Sequence, residues 1–239
     1  MDIQIIASGS SGNCCRVSDG KTELLIDAGI PINEINKALN FNLHSIEGML
    51  LTHEHGDHSK SVQKIIKSGI NVYSSAGTFE ALGISGHRAK TVKALVPFEV
   101  GTFKITPLET VHDAAEPLGY LIISRETKES LLYFTDTSYF KYVVKNINYL
   151  CVECNYDEVT FDGDGRPFAY TENGGNNTSL AARNVKNHMG LGTLIDYINA
   201  VKCTELREIH ILHISQNNGN AKLMKSEIQA IAGVPVYTH

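Results

Sequence analysis

Short runs of apolar residues, alternating with polar residues or continuous, dominate the first half of the chain and predict β-strands separated by turns. The predicted strands cover residues 3–7, 15–17, 23–27, 48–51, 71–73, 92–96, 102–106, 120–124 and 131–135. A further apolar run at residues 209–214 predicts a strand near the end of the chain. The first half therefore reads as a set of sheet-forming segments.

Apolar residues recur at helical spacing in five places between and after these strands. The predicted helices cover residues 32–39, 62–66, 180–185, 191–201 and 223–231. Strands with interspersed helices predict a mixed α/β fold. We expect one domain over residues 1–239, because no repeat, charge block or low-complexity linker interrupts the pattern. Residues 157–178, rich in Gly, Asn and Asp, predict a long functional loop, a candidate substrate flap.

Charge and cysteine content narrow the class of protein. The formal net charge of -5 over 239 residues gives no global basic field, so a nucleic acid would have to be attracted by local charge, bound cations included. Five cysteines, an odd number, favour reduced thiols over a disulfide framework. We expect a cytoplasmic protein without a membrane partner, because we find neither an export signal nor an apolar stretch long enough to span a bilayer. The sequence leaves the oligomeric state open.

Residues 50–58 carry the most informative pattern, because an apolar run leads directly into three imidazoles and a carboxylate. In an extended backbone His53 and His55 point the same way and can bind one ion. A turn at Gly56 would let Asp57 and His58 address a second ion. The spacing and its strand-turn-helix context predict a metal site.

Three residues further along the chain have the same context. His112, Asp136 and His213 each follow an apolar extended run and precede turn-like residues. Ligands in open α/β architectures lie at such strand ends. His210 precedes His213 by three positions, so a regular strand sends the two side chains to opposite faces, and we assign His213 to the site.

The HxHxDH run followed by separate His, Asp and His residues resembles the metallo-β-lactamase superfamily. That resemblance covers essentially the whole chain and implies an α/β fold of the αββα sandwich type with two divalent metal ions. It also implies a division of the ligands between the ions: His53, His55 and His112 on one, Asp57, His58 and His213 on the other, and Asp136 bridging.

Three further segments are similar to the YycJ-like (WalJ) branch of that superfamily, which is related to ribonuclease Z and ribonuclease J. Residues 7–13 match its SGSSGN loop, residues 153–157 its E-x-N-H-D segment and residues 187–190 its G-H-L-S segment, although Tyr156 replaces the usual histidine and three residues around His188 differ. The branch implies a nuclease, and this resemblance favours DNA over RNA as the substrate. We assign substrate contacts to Ser10, Ser11 and Asn13 in the first loop, and to Asn155 and Arg166.

The expected mechanism is hydrolysis of a phosphodiester by a hydroxide that bridges the two ions, with catalytic roles for Asp57, Asp136 and His188. His188 would donate a proton to the leaving oxygen. Imidazole and carboxylate ligands are compatible with zinc or manganese, and we rank iron below them. The alternative function is a small-molecule hydrolase that acts on a lactone or thioester at the same dinuclear site, and ribonuclease Z-like processing of transfer RNA stays open as well.

Overall fold

The computed structural model describes residues 1–157, 187–216 and 218–239. Two compact units make up this part of the chain: Met1–Glu109 with Ala114–Tyr133, and Thr110–Asp113 with Phe134–His239. The prediction of one domain stays a prediction, and the two units are described in turn. Among the helices of the described ranges, none combines the length and the apolar character that crossing a bilayer requires.

The first unit contains a six-stranded sheet whose strands lie in chain order. The strands are β1 (Asp2–Ala7), β2 (Cys14–Ser18), β3 (Glu23–Ile26), β4 (Ile46–Leu50), β5 (Asn71–Ser74) and β6 (Ala89–Thr91). The pairs β1–β2 and β2–β3 are antiparallel, and the pairs from β3 to β6 are parallel. The parallel part places the carboxyl ends of β3 and β4 at the same edge of the sheet.

Four helices accompany this sheet: α1 (Ile32–Ala38), α2 (Gly56–Ser59), α3 (Val62–Lys67) and α4 (Ala76–Ala81). The core joins Leu25 and Met49 of the sheet to Ile35 of α1 and Ile65 of α3, and all four side chains are fully buried. The helical spacing in the sequence thus marks the faces that are buried. Ser75 begins α4, where its Oγ accepts a hydrogen bond from the amide of Thr78, the usual N-cap role of serine.

An antiparallel meander completes the first unit. Its strands are β7 (Phe98–Val100), β8 (Phe103–Glu109), β9 (Leu118–Ser124) and β10 (Ser130–Phe134), paired in chain order. The strand predicted over residues 92–96 is wrong. Leu95 has a left-handed backbone (φ 64°) within a turn, and its amide donates to the carbonyl of Pro107, so the apolar run turns instead of extending.

The second unit contains three parallel strands, β11 (Tyr149–Glu153), β12 (Glu208–Leu212) and β13 (Val236–Thr238). Its described helices are Leu191–Val201, which we call α5, and Ala221–Ala232, which we call α6. Asn220 caps α6 by accepting from the amide of Leu223, and Gly233 ends it in a left-handed conformation. The predicted helix at residues 180–185 and most of the candidate flap at 157–178 lie outside the described residues.

Candidate metal centre

The HxHxDH segment of the first unit leaves β4 and enters α2. His53 and His58 are buried, with 1% and 0% of their surface exposed. Nε2 of His53 lies 3.1 Å from Nδ1 of His55. Two ring nitrogens at this separation share either a proton or a cation, which is the arrangement expected of two imidazole ligands of one ion.

A buried carboxylate that the sequence analysis did not assign supports this segment. Asp27 follows β3, is fully buried and has a left-handed backbone (φ 60°). Its Oδ2 lies 2.8 Å from Nδ1 of His58, and its Oδ1 accepts from the amide of Thr52 at 2.8 Å. Because Asp27 holds the proton on Nδ1, the lone pair of His58 lies on Nε2, where a metal ion could bind.

The same sequence rule that singled out Asp136 could have found Asp27. Both residues are aspartates that directly follow an apolar strand. The prediction for residues 23–27 placed Asp27 at the strand end but gave it no role.

The Gly- and Ser-rich loop of residues 7–13 is attached through Asn13 to residues 53–58, which we call the ligand turn. The Asn13 side chain is buried, and it bonds Gly9 with both its Oδ1 and its Nδ2. Its Nδ2 also lies 2.9 Å from Nε2 of His58 and 3.4 Å from Oδ2 of Asp57. Ser10 and Ser11 lie exposed at the tip of the turn. Asn13 therefore contacts the expected ligands directly, and the two serines face solvent.

The second unit brings together three of the residues expected to bind metal. Asp136 Oδ2 lies 3.7 Å from Nε2 of His112, and Asp136 Oδ1 lies 3.3 Å from Nδ1 of His213. Asp136 and His213 both have left-handed backbones, with φ of 50° and 52°. Non-glycine residues in this conformation concentrate at functional sites, where the surrounding structure holds them.

Glu153 is the buried carboxylate of the second unit, at the end of β11. It is fully buried, and its Oε2 accepts from the amide of Thr137 at 2.8 Å. Its Oε1 lies 2.5 Å from Nδ1 of His188 and 3.2 Å from Nδ1 of His213. Glu153 begins the segment of residues 153–157 and had no predicted role, although it too is an acid at a strand end.

Ionisation in this cluster follows from burial and from the nearby charges. Burial raises the pKa of Glu153, but the charge and hydrogen bonds of His188 and His213 outweigh it, so the pKa lies below its usual value. Burial lowers the pKa of His188, but the charge and hydrogen bond of Glu153 outweigh that effect and the pKa is raised. For His112 burial prevails over the attraction of Asp136, and the pKa is lowered, which favours the neutral imidazole that a metal ion requires.

The segment after β11 holds His188 and His213 in place. The amide of Asn155 donates to the carbonyl of Met189, and Nδ2 of Asn155 donates to the carbonyl of His213 at 2.8 Å. Asn155 is itself buried. His210 contacts His239 and Tyr237 instead of this cluster, which agrees with the choice of His213. Arg166 lies outside the described residues.

The donor atoms present in each unit fit a divalent cation. The first unit offers three imidazoles and a carboxylate in residues 53–58, and the second offers a cluster whose ligand atoms lie within 4.8 Å of one another: Asp136, Glu153, His188 and His213. Nitrogen and carboxylate donors without thiolate suit zinc or manganese. The buried Asp27, which holds Nδ1 of His58, is the kind of supporting contact that metal-binding histidines usually have.

Comparison with known proteins agrees with this chemistry. The family model described as the β-lactamase superfamily domain matches residues 22–214. A protein from Bacillus anthracis named exodeoxyribonuclease YycJ is 31% identical over 171 residues, which are 66% of this chain and 64% of that protein. Exodeoxyribonuclease WalJ from Streptococcus pneumoniae is 32% identical over 168 residues, 64% of this chain and 62% of that protein. The chain thus spans less than two thirds of the length of either relative.

Solved structures confirm the predicted fold. The metallo-β-lactamase fold protein YhfI from Bacillus subtilis has a TM-score of 0.74 and 16% sequence identity, and the match covers 99% of this chain and 95% of that one. At this identity the likeness concerns the fold alone. The predicted α/β fold of the αββα sandwich type and the resemblance to the metallo-β-lactamase superfamily are both confirmed.

Proposed function

The chain belongs to the β-lactamase superfamily domain family, and from that premise we propose that it is a metal-dependent nuclease that acts as a DNA exonuclease. Both relatives reported above carry the name exodeoxyribonuclease, which supports DNA as the substrate. We place the activity in the cytoplasm, because an odd number of cysteines fits a reducing compartment.

One observation carries this proposal: in each unit a fully buried carboxylate holds Nδ1 of a histidine that we expect to bind metal. Asp27 does so for His58 and Glu153 for His213. Burying a carboxylate is costly unless it is compensated by hydrogen bonds or charge. At His58 this contact fixes the tautomer with the lone pair on Nε2, where a cation could bind. At His213 both Glu153 and Asp136 lie beside Nδ1, so two carboxylates and an imidazole converge there.

We propose the ligand division that the family resemblance implies. One divalent ion, zinc or manganese, would be bound by His53, His55 and His112. The second would be bound by Asp57, His58 and His213, with Asp136 shared between the two. Divalent ions bound by such ligands lower the pKa of a coordinated water and neutralise the charge of a phosphodiester.

The protein's own contribution to proton transfer falls to His188. Its Nδ1 is occupied by Glu153, so the imidazole presents Nε2 to a substrate, and the negative charge of Glu153 favours the protonated ring. A protonated Nε2 is a suitable general acid for a leaving alkoxide. In this scheme Glu153 is a positioning residue, because it acts through His188.

The five proposed substrate contacts divide by exposure. Ser10 and Ser11, at the exposed tip of their turn, offer hydroxyls to a phosphate. Asn13 and Asn155 are buried against His58 and His213, which supports a role in holding those ligands. Arg166 stays a proposed contact from the sequence alone.

The test is product analysis with DNA labelled at either end, single- and double-stranded, and with matching RNA. Zinc- and manganese-reconstituted protein should release mononucleotides or short products from one end of DNA in preference to RNA. Asp136→Ala should abolish cleavage, and Asp196→Ala, which removes an exposed carboxylate on α5, should retain it. Cleavage of a lactone or thioester by a sample that leaves every nucleic acid intact would instead favour the small-molecule alternative.

A further inference from the structure

An exposed segment of the second unit begins three residues after Asp136. In residues 139–145, which we call the Tyr139 segment, exposed and inward-facing side chains alternate. Tyr139 has 50% of its surface exposed and Val143 has 53%, and Lys141 and Lys145 are exposed as well. Single exposed apolar side chains are common on protein surfaces, so the informative feature here is that Tyr139 and Val143 alternate with two lysines.

The start of the segment is attached to two of the ligand-bearing loops of the unit. Oγ1 of Thr137 donates to the carbonyl of Tyr139 at 2.7 Å and accepts from the amide of Val111 at 2.9 Å. The amide of Thr137 donates to Glu153. Because Val111 precedes His112 and Thr137 follows Asp136, the backbone at Tyr139 is fixed relative to two of the proposed metal ligands.

An aromatic stack anchors the segment one residue further along. The Phe140 ring lies parallel to that of Phe134, with centroids 4.1 Å apart and an interplanar angle of 5°. It also contacts Tyr197 of α5 edge-on. With Phe140 buried, Tyr139 on the other side of the backbone is directed outward on a rigid support.

The charge of the segment is opposite to that of the chain. Residues 137–148 contain two lysines and no acidic residue, whereas the whole chain has a net charge of -5. Nζ of Lys141 lies 5.2 Å from the centroid of the Tyr142 ring. Alternating aromatic and basic side chains are typical of surfaces that stack bases and track a phosphate backbone.

We propose that the Tyr139 segment is a binding site for single-stranded DNA, with a base stacked on Tyr139 and phosphates bound by Lys141 and Lys145. This inference rests on the proposed nuclease function and names the part of the surface that receives the strand. Three residues of chain span at most roughly 11 Å, so the stacked base lies within about three nucleotides of a phosphate at Asp136. Stacking accepts every base, as an exonuclease that moves along a strand requires.

The test is fluorescence anisotropy with metal-reconstituted protein and a labelled, phosphorothioate-linked oligothymidylate that resists cleavage. Tyr139→Ala should weaken binding roughly 5- to 100-fold, and Tyr139→Phe should bind like the wild type because it keeps the stacking ring. An oligomer of abasic sugar phosphates should bind wild type and Tyr139→Ala equally. Lys145→Gln should reduce the slope of log Kd against log salt by about 0.7, the value for one lost phosphate contact.

Phe41→Ala is the matched control, because Phe41 is an exposed aromatic residue of the first unit, with 79% of its surface exposed. It should bind the oligomer like the wild type. Circular dichroism establishes that each variant is folded. Equal oligothymidylate binding by wild type and Tyr139→Ala, or no binding by the wild type, would overturn the proposal.

Cleavage of unmodified single-stranded DNA by the same samples separates this inference from the nuclease proposal. Wild-type protein that binds through Tyr139 but cleaves no phosphodiester contradicts the nuclease proposal alone. If the wild type cleaves DNA and Tyr139→Ala has the same KM, the proposed binding site at the Tyr139 segment is contradicted and the nuclease proposal is not. Our account requires cleavage by the wild type and a KM that rises in Tyr139→Ala.

Discussion

At the scale of single residues, we expect Asp27 to influence the affinity of the proposed metal site without binding the metal itself. It is buried behind His58, and its two oxygens bond His58 and Thr52. In Asp27→Asn an amide group can replace the oxygen that accepts from Nδ1, which removes the restraint on the His58 tautomer. We expect metal affinity to fall about 10- to 100-fold, the usual effect of losing such a supporting contact. Competition with a chromophoric chelator measures it.

The matched control for Asp27→Asn is Asp19→Asn. Asp19 is also buried in the first unit and accepts hydrogen bonds from Ser124 and Thr102, but it contacts none of the proposed ligands. Its variant should lose stability and keep wild-type metal affinity. Equal metal affinities in both variants would show that Asp27 is only a structural residue.

At the level of single residues the sequence predicts which side chains belong together but not how each is supported. His112, Asp136 and His213 were expected at strand ends, and the second unit places them together. Asp27 and Glu153 were missed because their role depends on a hydrogen bond to a histidine distant in sequence, 31 and 60 residues away. The sequence gives the residue type and the strand-end position of both acids, but it does not show which histidine each one contacts.

At the level of elements, the ligand turn depends on a neighbouring loop that lacks side-chain bulk. The loop after β3 contacts the turn through its backbone, because the amide of Ala28 donates to the carbonyl of His58. The loop before β2 makes a similar contact, in which the amide of Asn13 donates to the carbonyl of Asp57. A Cβ at Gly29 would lie 1.5 Å from the carbonyl oxygen of Asp57, which no side chain can do without moving the backbone. Gly29 is therefore required by close approach and not by its dihedral angles.

Gly29→Ala should displace the turn and destabilise the protein by about 3 kcal/mol or more, with loss of metal binding. Gly56→Ala is the control, because a Cβ there meets nothing within 4 Å, and Gly56 is absent from the positive-φ positions of the described backbone. Urea denaturation and chelator competition measure the two effects. A Gly29→Ala protein with wild-type stability and metal affinity would show that the loop and the turn can separate freely.

Gly56 and residues 92–96 show that local sequence patterns do not always predict the backbone conformation. We expected the conformational freedom of glycine at Gly56 to allow the ligand turn. Gly56 instead begins α2, and its φ is not positive. An apolar run was read as a strand at residues 92–96, whereas hydrogen bonds to distant Ser74 and Pro107 make it a connecting turn. The short strand β13 was not predicted, since its pairing with β12 depends on tertiary contacts.

At the level of the whole molecule, the succession of strands and helices predicted a mixed α/β fold, and the family resemblance of the metal-ligand pattern implied the αββα sandwich. The family model and solved structures confirm both. The bulk charge was a poorer guide. A net charge of -5 argues against nucleic acid, while the proposed metal ions and the basic Tyr139 segment favour it locally. Local charge should therefore govern the choice of substrate.

Acid sensitivity of the fold should depend on Asp19. Burial raises the pKa of Asp19, but hydrogen bonds from Ser124, Thr102 and the amides of Thr22 and Lys21 outweigh it, and the pKa is lowered. A carboxyl with a depressed pKa stabilises the fold above its unfolded pKa of about 3.9, and this contribution is lost as the pH falls through the folded pKa. Asp19→Asn should be about 1–3 kcal/mol less stable at neutral pH, and the difference should shrink below pH of about 4. Urea denaturation of wild type and Asp19→Asn at neutral pH and below pH of about 4 measures this difference in the free energy of unfolding. A difference that stays the same at every pH would contradict the prediction.

The most direct test of the central claim is a titration of metal-free protein with zinc or manganese in which bound metal and cleavage of single-stranded DNA are followed in the same samples. Our account predicts no cleavage by the metal-free protein, two bound ions per chain at saturation, and cleavage that rises with occupancy of both. Cleavage of DNA by the metal-free protein, or a fully loaded and folded protein that cleaves no DNA, would contradict it.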